Sequence, residues 1–146
     1  MPAVRGCNLP DDLLYDVDNH IWFQEQGDGN VKLGMTAVAT AMAGKLVAYT
    51  PKRVGRAVRA GKSCGTLESG KWVGPASSLP GGELVAGPAD LVPHPSLATG
   101  DPYDAGWLGV LKPDDWDSVT GSLVDGSDVT GPYEPKMDSE GIGGCA

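Results

Sequence analysis

The 146-residue sequence has few basic residues and no long apolar run. Eleven lysines and arginines are outnumbered by nineteen aspartates and glutamates, which leaves a formal net charge of −8. Proteins that bind nucleic acid or anionic membranes need a basic surface, so the charge disfavours both classes. No segment approaches the ~20 apolar residues that span a bilayer, and the first residues lack the apolar core of a signal peptide. We therefore expect a cytoplasmic protein that binds neither nucleic acid nor membrane.

Cysteine and histidine are also scarce. The three cysteines, Cys7, Cys64 and Cys145, are far apart in the sequence, and the two histidines are His20 and His94. Without a C-x-x-C pair, this pattern predicts neither a disulfide framework nor a metal site. We expect three reduced thiols, with Cys64 packed as a small apolar residue in a strand. Both histidines are expected to be structural.

The motifs of common catalytic sites are absent from the sequence. It contains no G-x-S-x-G nucleophile elbow and no G-x-x-x-x-G-K-[ST] phosphate-binding loop. The runs of aspartate at 11–12 and 114–117 lie in an entry segment and at a predicted helix start, where solvated or capping roles suit them. Composition and motif searches thus give no reason to expect an enzyme.

Glycine and proline are abundant, with 22 and 12 residues respectively. They are spread through short segments, which favours a mainly β fold of short strands and tight turns. The D-G-N sequence at 28–30 predicts a hairpin turn. Thr36 as N-cap and Gly44 as terminator predict a short helix at about 36–43, and a proline followed by two aspartates predicts another at about 113–124.

The end of the chain differs in composition from the rest. Residues 126–146 are rich in glycine, proline and aspartate and contain little that could be buried. We therefore divide the chain into a folded domain at 1–125 and a C-terminal tail at 126–146 that is loosely held or disordered.

Lys71 lies in a predicted turn, within the sequence GTLESGKWVGPAS. Gly70 allows the backbone to reverse, and a lysine after it would project from the hairpin tip. An exposed ammonium is protonated at neutral pH and is a poor nucleophile, but a modifying enzyme can reach it. The position in a turn alone indicates an ordinary exposed lysine. Whether Lys71 is a modification site is decided by the surrounding motifs.

Those motifs resemble the glycine cleavage system H-protein family. An E-S-x-K segment is followed by D-P-Y-x-x-G-W and preceded by H-x-W and G-x-T-x-x-A, in the order found in that family. The likeness covers roughly residues 15 to 125. The matching residues are Glu68, Ser69, Lys71, Gly82, Glu83, Asp101, Pro102, Tyr103, Gly106 and Trp107, with His20, Trp22, Gly34, Thr36, Ala39 and Gly44 upstream.

The resemblance implies a lipoyl-carrier fold, a flattened barrel or sandwich of two antiparallel sheets. It also implies lipoic acid in amide linkage to Lys71, with Glu68, Ser69, Gly70 and Trp72 recognised by the attaching enzyme or touching the lipoyl arm. Such a protein is a cofactor-bearing carrier and not a catalyst. Its expected partners are a lipoate ligase or lipoyl transferase and dihydrolipoamide dehydrogenase.

A basic segment departs from the family pattern, which usually has an acidic residue there. Residues 29–67 contain seven basic residues and no acidic one, so the rest of the chain carries −15. Lys52, Arg53, Arg56 and Arg59 are either a solvated positive face or a docking surface for an acidic partner. The sequence leaves both interpretations open.

Three hypotheses for function follow from these features. The basic segment, the Gly-Lys-Trp tip and the cysteine near the C-terminus favour the divergent lipoate-binding proteins of sulfur-oxidising bacteria, which serve a heterodisulfide-reductase-like complex. The alternative is the H protein of glycine cleavage, which carries the aminomethyl group between glycine decarboxylase and aminomethyltransferase. An enzyme that uses Lys71 for imine chemistry would need a desolvated amine or a neighbouring cation, and nothing nearby in the sequence supplies either.

Overall fold

The computed structural model describes residues 3–70, 72–87 and 91–145. This part of the chain contains twelve strands, all paired antiparallel, and four helices. The strands are β1 (Ala3–Val4), β2 (Cys7–Asn8), β3 (Leu14–Asp16), β4 (Ile21–Glu25), β5 (Val31–Met35), β6 (Leu46–Pro51), β7 (Ala57–Val58), β8 (Lys62–Ser69), β9 (Val73–Ser78), β10 (Gly82–Ala86), β11 (Gly109–Pro113) and β12 (Val124–Asp125). The helices are α1 (Ala37–Ala43), α2 (Leu97–Gly100), α3 (Trp116–Thr120) and α4 (Thr130–Glu140).

Two antiparallel sheets enclose the main core. The larger sheet has the strand order β12-β3-β4-β5-β11-β10-β7, the smaller one has the order β6-β8-β9, and β1 and β2 form a separate ribbon. Buried side chains from both sheets, such as Phe23, Leu33, Leu67 and Leu84, form one cluster between them. The predicted mainly β sandwich is therefore confirmed, and its sheets do not close into a barrel.

The local signals before residue 45 predict the structure well. Strands β4 and β5 pair from Ile21 with Met35 to Glu25 with Val31, so the D-G-N sequence lies in the hairpin turn. The Thr36 side chain accepts a hydrogen bond from the amide of Ala39 at the start of α1, and Gly44 ends the helix with a φ of 72°. The hairpin and the first short helix are both confirmed.

The predicted helix at about 113–124 is shorter than expected. Pro113 belongs to strand β11, where it lies opposite Gly82 of β10, so sheet pairing extends the strand into the expected first turn. The Asp115 carboxylate caps the helix instead, accepting from the amide of Ser118, and α3 ends at Thr120. No helix in the described ranges is long and apolar enough to cross a membrane.

The family motifs fasten distant parts of the fold to one another. The Trp22 indole of the H-x-W motif donates a hydrogen bond to the carbonyl of Pro102, at 2.9 Å. The next residue of the D-P-Y motif, Tyr103, accepts one from the amide of Ala37, at 2.8 Å. These contacts hold the loop after β10 against β4 and α1, which border the site described below.

The expectation of three reduced thiols is wrong for two of them. Cys7 in β2 and Cys145 near the C-terminus form a disulfide that joins positions 138 residues apart. Spacing could not reveal the pair because folding, not sequence proximity, brings the two chain ends together. The prediction for Cys64 is confirmed, since it is fully buried in β8, where burial raises the pKa of its thiol.

The expectation of a loosely held tail is also wrong. Helix α4 occupies its middle, and Tyr133 and Met137 are fully buried on one face of that helix. They pack with Val4, Leu9 and other residues of the N-terminal segment in a second apolar cluster. The boundary that we drew at residue 125 stays a prediction.

Polar contacts add to the anchoring of α4. The guanidinium of Arg5 pairs with Asp138 and donates to the carbonyl of Ile142 at 3.0 Å, and the amide of Cys145 donates to the carbonyl of Arg5. The helix contains Pro135, and no side-chain hydrogen bond caps its start. Because a helix this short is marginal by itself, α4 depends on these tertiary contacts.

Breaking the disulfide should destabilise the protein. We expect Cys145→Ala to lower the free energy of unfolding by about 2–4 kcal/mol, because the unfolded chain loses the restraint of a very long closed loop. Urea unfolding without reductant measures the difference. Reductant should destabilise the wild-type protein similarly and leave the variant unchanged, whereas equal midpoints for the two oxidised proteins would contradict the account.

Candidate functional site

The hairpin of β8 and β9 reverses direction between Ser69 and Val73. The amide of Ser69 donates a hydrogen bond to the carbonyl of Trp72, at 2.7 Å, and closes the turn. Lys71, the predicted attachment residue, lies outside the described residues. Its sequence neighbours Gly70 and Trp72 are both exposed, and a side chain at position 70 would meet no atom within 4 Å. The hairpin tip is therefore open to solvent around Gly70.

The other predicted recognition residues belong to the end of β8. Ser69 is buried, and its backbone amide closes the turn. Glu68 points to the outer face of the sheet and lies opposite Val73, while Val47 precedes its other partner, Ala48. Both valines are more than half exposed, at 56% and 63%. A carboxylate between exposed apolar side chains offers a distinctive surface beside the tip.

Trp72 lies against the backbone of the following strand. A Cβ atom added to Gly74 would come within 2.2 Å of the indole ring, so the ring occupies the space that a side chain at 74 would take. The indole remains 39% exposed. Gly74 therefore permits Trp72 to fold back toward the sheet from the tip.

Trp72 forms one wall of a cleft of about 290 Å³. The turn before β4, helix α1 and strand β9 supply most of the other walls, and the end of α4 closes one side. The apolar lining consists of Ile21, Met35, Ala39, Met42, Ala43, Leu67, Trp72 and Pro75, and the polar lining consists of Asp18, Asn19, His20, Ser77 and Glu140. The cleft thus combines an apolar surface near the tip with polar groups from the turn before β4, from β9 and from α4.

His20 is held in the cleft wall by helix α4. Its Nδ1 lies 3.2 Å from the hydroxyl of Tyr133, its Nε2 lies 3.0 Å from a carboxylate oxygen of Glu140, and its ring stacks on Tyr133. The His20 backbone has a φ of 57°, a left-handed conformation that few side chains adopt. These contacts agree with the structural role predicted for His20. Its side chain also lines the cleft.

Glu140 brings negative charge to the cleft. Burial raises the pKa of its carboxyl, but hydrogen bonds from Lys136 and His20, together with the charge of Lys136, outweigh burial and lower the pKa from its usual 4.5. The Lys136 ammonium lies 2.9 Å from the carboxylate. Glu140 is therefore ionised at neutral pH.

The predicted docking residues lie away from the tip. Leu46 pairs with Ser69 and Pro51 pairs with Gly65, so the chain leaves β6 toward Lys52 at the far end of the small sheet. Strand β8 spans eight residues, and a rise of about 3.3 Å per residue separates its ends by about 23 Å. Lys52, Arg53, Arg56 and Arg59 therefore do not belong to the cleft.

The sequence does not predict Tyr133 and Glu140 as residues of the site, because the composition of the tail indicates disorder. The signal that could have found them is local. Tyr133 and Met137 lie four positions apart, as do Lys136 and Glu140, a spacing that places both pairs on a helix face. Gly141 then ends the helix in a left-handed conformation.

Comparison with known proteins identifies the family. Residues 13–135 match the family described as Glycine cleavage H-protein. The chain belongs to the glycine cleavage H-protein family. It is 44% identical to "Glycine cleavage system H protein 5" of Aquifex aeolicus, over 97% of this chain and 98% of the relative. It is 36% identical to the H protein of Pseudoalteromonas atlantica, over 91% and 98% of the two chains.

A solved H-protein structure has the same fold. The crystal structure from Mycobacterium marinum matches with a TM-score of 0.75 and 33% identity, covering 86% of this chain and 98% of that one. Members of the family carry lipoic acid covalently attached to a lysine and act as carriers, not catalysts. The cofactor of this chain is accordingly lipoic acid, and the chain is a carrier protein.

The cleft suits a lipoyl arm in its chemistry. An aliphatic chain that ends in two sulfur atoms needs an apolar surface, and Ala39, Met42, Trp72 and Pro75 provide one. Trp72 and Pro75 come from the turn and from β9, so this surface begins at the hairpin that bears the predicted attachment residue. The residues present therefore fit the cofactor.

Replacing Gly74 should disturb the cleft without unfolding the protein. We expect Gly74→Ala to displace the Trp72 ring, because the new methyl group would occupy its position. The measurement is the shift of the Trp72 indole N–H signal in an ¹⁵N-correlated NMR spectrum. The matched control is Gly121→Ala, where an added Cβ meets no atom within 4 Å. An unchanged Trp72 signal in Gly74→Ala would contradict the described packing.

Proposed function

We propose that this chain is the H protein of a glycine cleavage system and carries an aminomethyl group on a lipoyl group attached to Lys71. The observation that carries the proposal is the hairpin tip at Ser69, Gly70 and Trp72 beside an apolar cleft, in a chain whose sequence has the E-S-x-K motif there and matches the family over residues 13–135. The relatives named above are called glycine cleavage system H proteins. Their names favour this function over the sulfur-oxidation hypothesis.

The charge of the cleft also favours an amine over sulfur as the cargo. Glu140 and Asp18 line it, and the lowered pKa of Glu140 keeps its carboxylate charged at neutral pH. The two carboxylates share one ammonium, that of Lys136, which lies 2.9 Å from Glu140 and 3.7 Å from Asp18. Together these three groups leave a net negative charge, which attracts a protonated amine and repels the anion of a persulfide. No comparable observation supports a heterodisulfide-reductase-like complex as partner.

Each group around the cleft has a distinct task in this proposal. A bound lipoyl group supplies a reversible dithiol–disulfide couple that holds the cargo through sulfur. Trp72 and Met42 provide the apolar contact that keeps an arm near the protein between encounters. His20, held by Tyr133, orients the Glu140 carboxylate toward the polar end of the cleft.

The proposed partners act at the tip. A lipoate ligase or lipoyl transferase would recognise Glu68 with the exposed Val47 and Val73, and Gly70 would leave its approach unobstructed. Glycine decarboxylase and aminomethyltransferase would load and unload the arm, and dihydrolipoamide dehydrogenase would reoxidise it. All of these enzymes need access to the arm, so they would use this end of the protein in turn.

Lipoylation should occur at Lys71 and at no other lysine. Protein made with a competent lipoylating enzyme should gain the mass of one lipoyl group, and peptide mass spectrometry should locate it at residue 71. Lys71→Arg should remain unmodified, while the matched control Lys45→Arg, at an exposed lysine near the tip, should be modified normally. A lipoyl group on another lysine would refute the assignment.

A cargo assay separates the two pathways. The oxidised lipoyl protein, mixed with glycine and a pyridoxal-phosphate glycine decarboxylase, should accept the aminomethyl group with release of carbon dioxide. Glu140→Gln should reduce this loading, because it removes the charge that attracts the amine. No loading of the wild-type protein, together with uptake of sulfur from a persulfide donor by its reduced form, would favour the sulfur hypothesis instead.

A further inference from the structure

The loop between β6 and β8 presents an unusual concentration of positive charge. We call residues 52–62 the basic loop. Among the described residues, none of its cations lies within ion-pair distance of a carboxylate. Its five cations, all exposed, are Lys52, Arg53, Arg56, Arg59 and Lys62.

Backbone hydrogen bonds hold the basic loop in one conformation. The amide of Gly55 donates to the carbonyl of Leu84 at 2.7 Å, and the amide of Leu84 donates to the carbonyl of Arg56 at 3.0 Å. At the other end, the amide of Gly61 donates to the carbonyl of Ser78 at 2.7 Å. A fixed backbone lowers the entropy lost on binding, so the loop is prepared for a partner.

Apolar groups lie among these charges. Val54 is 58% exposed, and Ala57 and Ala60 are exposed as well. A single exposed valine is ordinary on a protein surface, but here it lies among five cations on a fixed backbone. Cations around a small apolar centre suit a surface that buries contact area against a charged partner.

We infer that the basic loop is a second docking surface, which binds an acidic patch on a partner protein while the hairpin tip stays free. The chain outside residues 29–67 carries −15, which would repel an extended polyanion such as nucleic acid. A compact acidic patch on a protein can meet the loop without approaching that negative surface.

The basic loop is well separated from the hairpin tip. It lies toward the end of β8 opposite the tip, where Lys62 is about 23 Å from Ser69 along the strand. A partner held there need not cover Glu68, Trp72 or the cleft. The carrier can thus stay bound to one protein through the loop while a second protein uses its arm, which keeps the arm at a high effective concentration.

Hexa-L-glutamate, a short probe whose acidic charge is confined to a small patch, tests the inference. Added at low salt to the ¹⁵N-labelled full-length protein, it should shift backbone signals of residues 52–62 and leave those of Gly70, Trp72 and His20 unchanged. Reversing Arg53, Arg56 and Arg59 to Glu should slow association about tenfold or more at low salt. Changing the same three residues to Lys should preserve binding. The matched control Lys45→Glu, which makes the same change of charge as Arg56→Glu at an exposed site near the tip, should have little effect.

Several results would overturn the inference. Shifts at the tip, or spread over the surface, would show that the loop is not a distinct site. Tighter binding of a single-stranded oligonucleotide of equal charge at residues 52–62 would indicate nucleic acid as the occupant. Self-association that disappears in the triple Glu variant would indicate a second copy of this chain. Because the measurement uses unmodified protein, it is independent of whether Lys71 is lipoylated.

Discussion

Strand β8 is paired on both sides, with β6 over residues 65–69 and with β9 over residues 62–68. This register buries Leu67 and exposes Glu68, and a slip by one residue would reverse the two. It also fixes the ends of the strand, so the hairpin tip lies at one end of the small sheet and the basic loop at the other. Burial of Leu67 in the main core makes the slip unfavourable.

Helix α4 links the chain ends to the cleft. The disulfide and the Arg5 contacts hold its C-terminal end, and burial of Tyr133 and Met137 holds its middle. Tyr133 and Glu140 then fix His20, which lines the cleft. A structural change at the chain ends can therefore reach the wall of the cleft through this short helix. In the proposed function the cleft holds the lipoyl arm between partners, and a wall fixed in this way suits that role.

The parts of the fold that the sequence predicts correctly have local causes. The hairpin at 28–30 follows from glycine conformations, and α1 follows from Thr36 and Gly44, all within a few residues of the structure they specify. The turn around Gly70 also has a local cause, since a glycine there lets the backbone reverse between Ser69 and Trp72, whereas the attachment role of Lys71 stays a prediction. Local signals also predict a helix at 113–124 that is too long, because pairing of β11 with β10 extends a strand through Pro113.

The parts that the sequence does not predict depend on distant contacts. Cys7 and Cys145 are 138 residues apart and are brought together by the tertiary fold, and α4 packs against residues near the N-terminus. The same is true of the cleft, whose polar side needs His20 of the first third of the chain and Glu140 of the last. The separation of the basic loop from the tip requires the register of β8, which the pattern of residues alone does not give.

We propose that this carrier holds its lipoyl arm in the cleft, apart from the basic loop. A comparison of ¹⁵N-correlated NMR spectra of the lipoylated and unmodified protein tests this most directly. We expect shifts at Gly70 and Trp72 and along the cleft at Ala39, His20 and Glu140, with residues 52–62 unchanged. Shifts confined to the turn, or appearing in the basic loop, would contradict it.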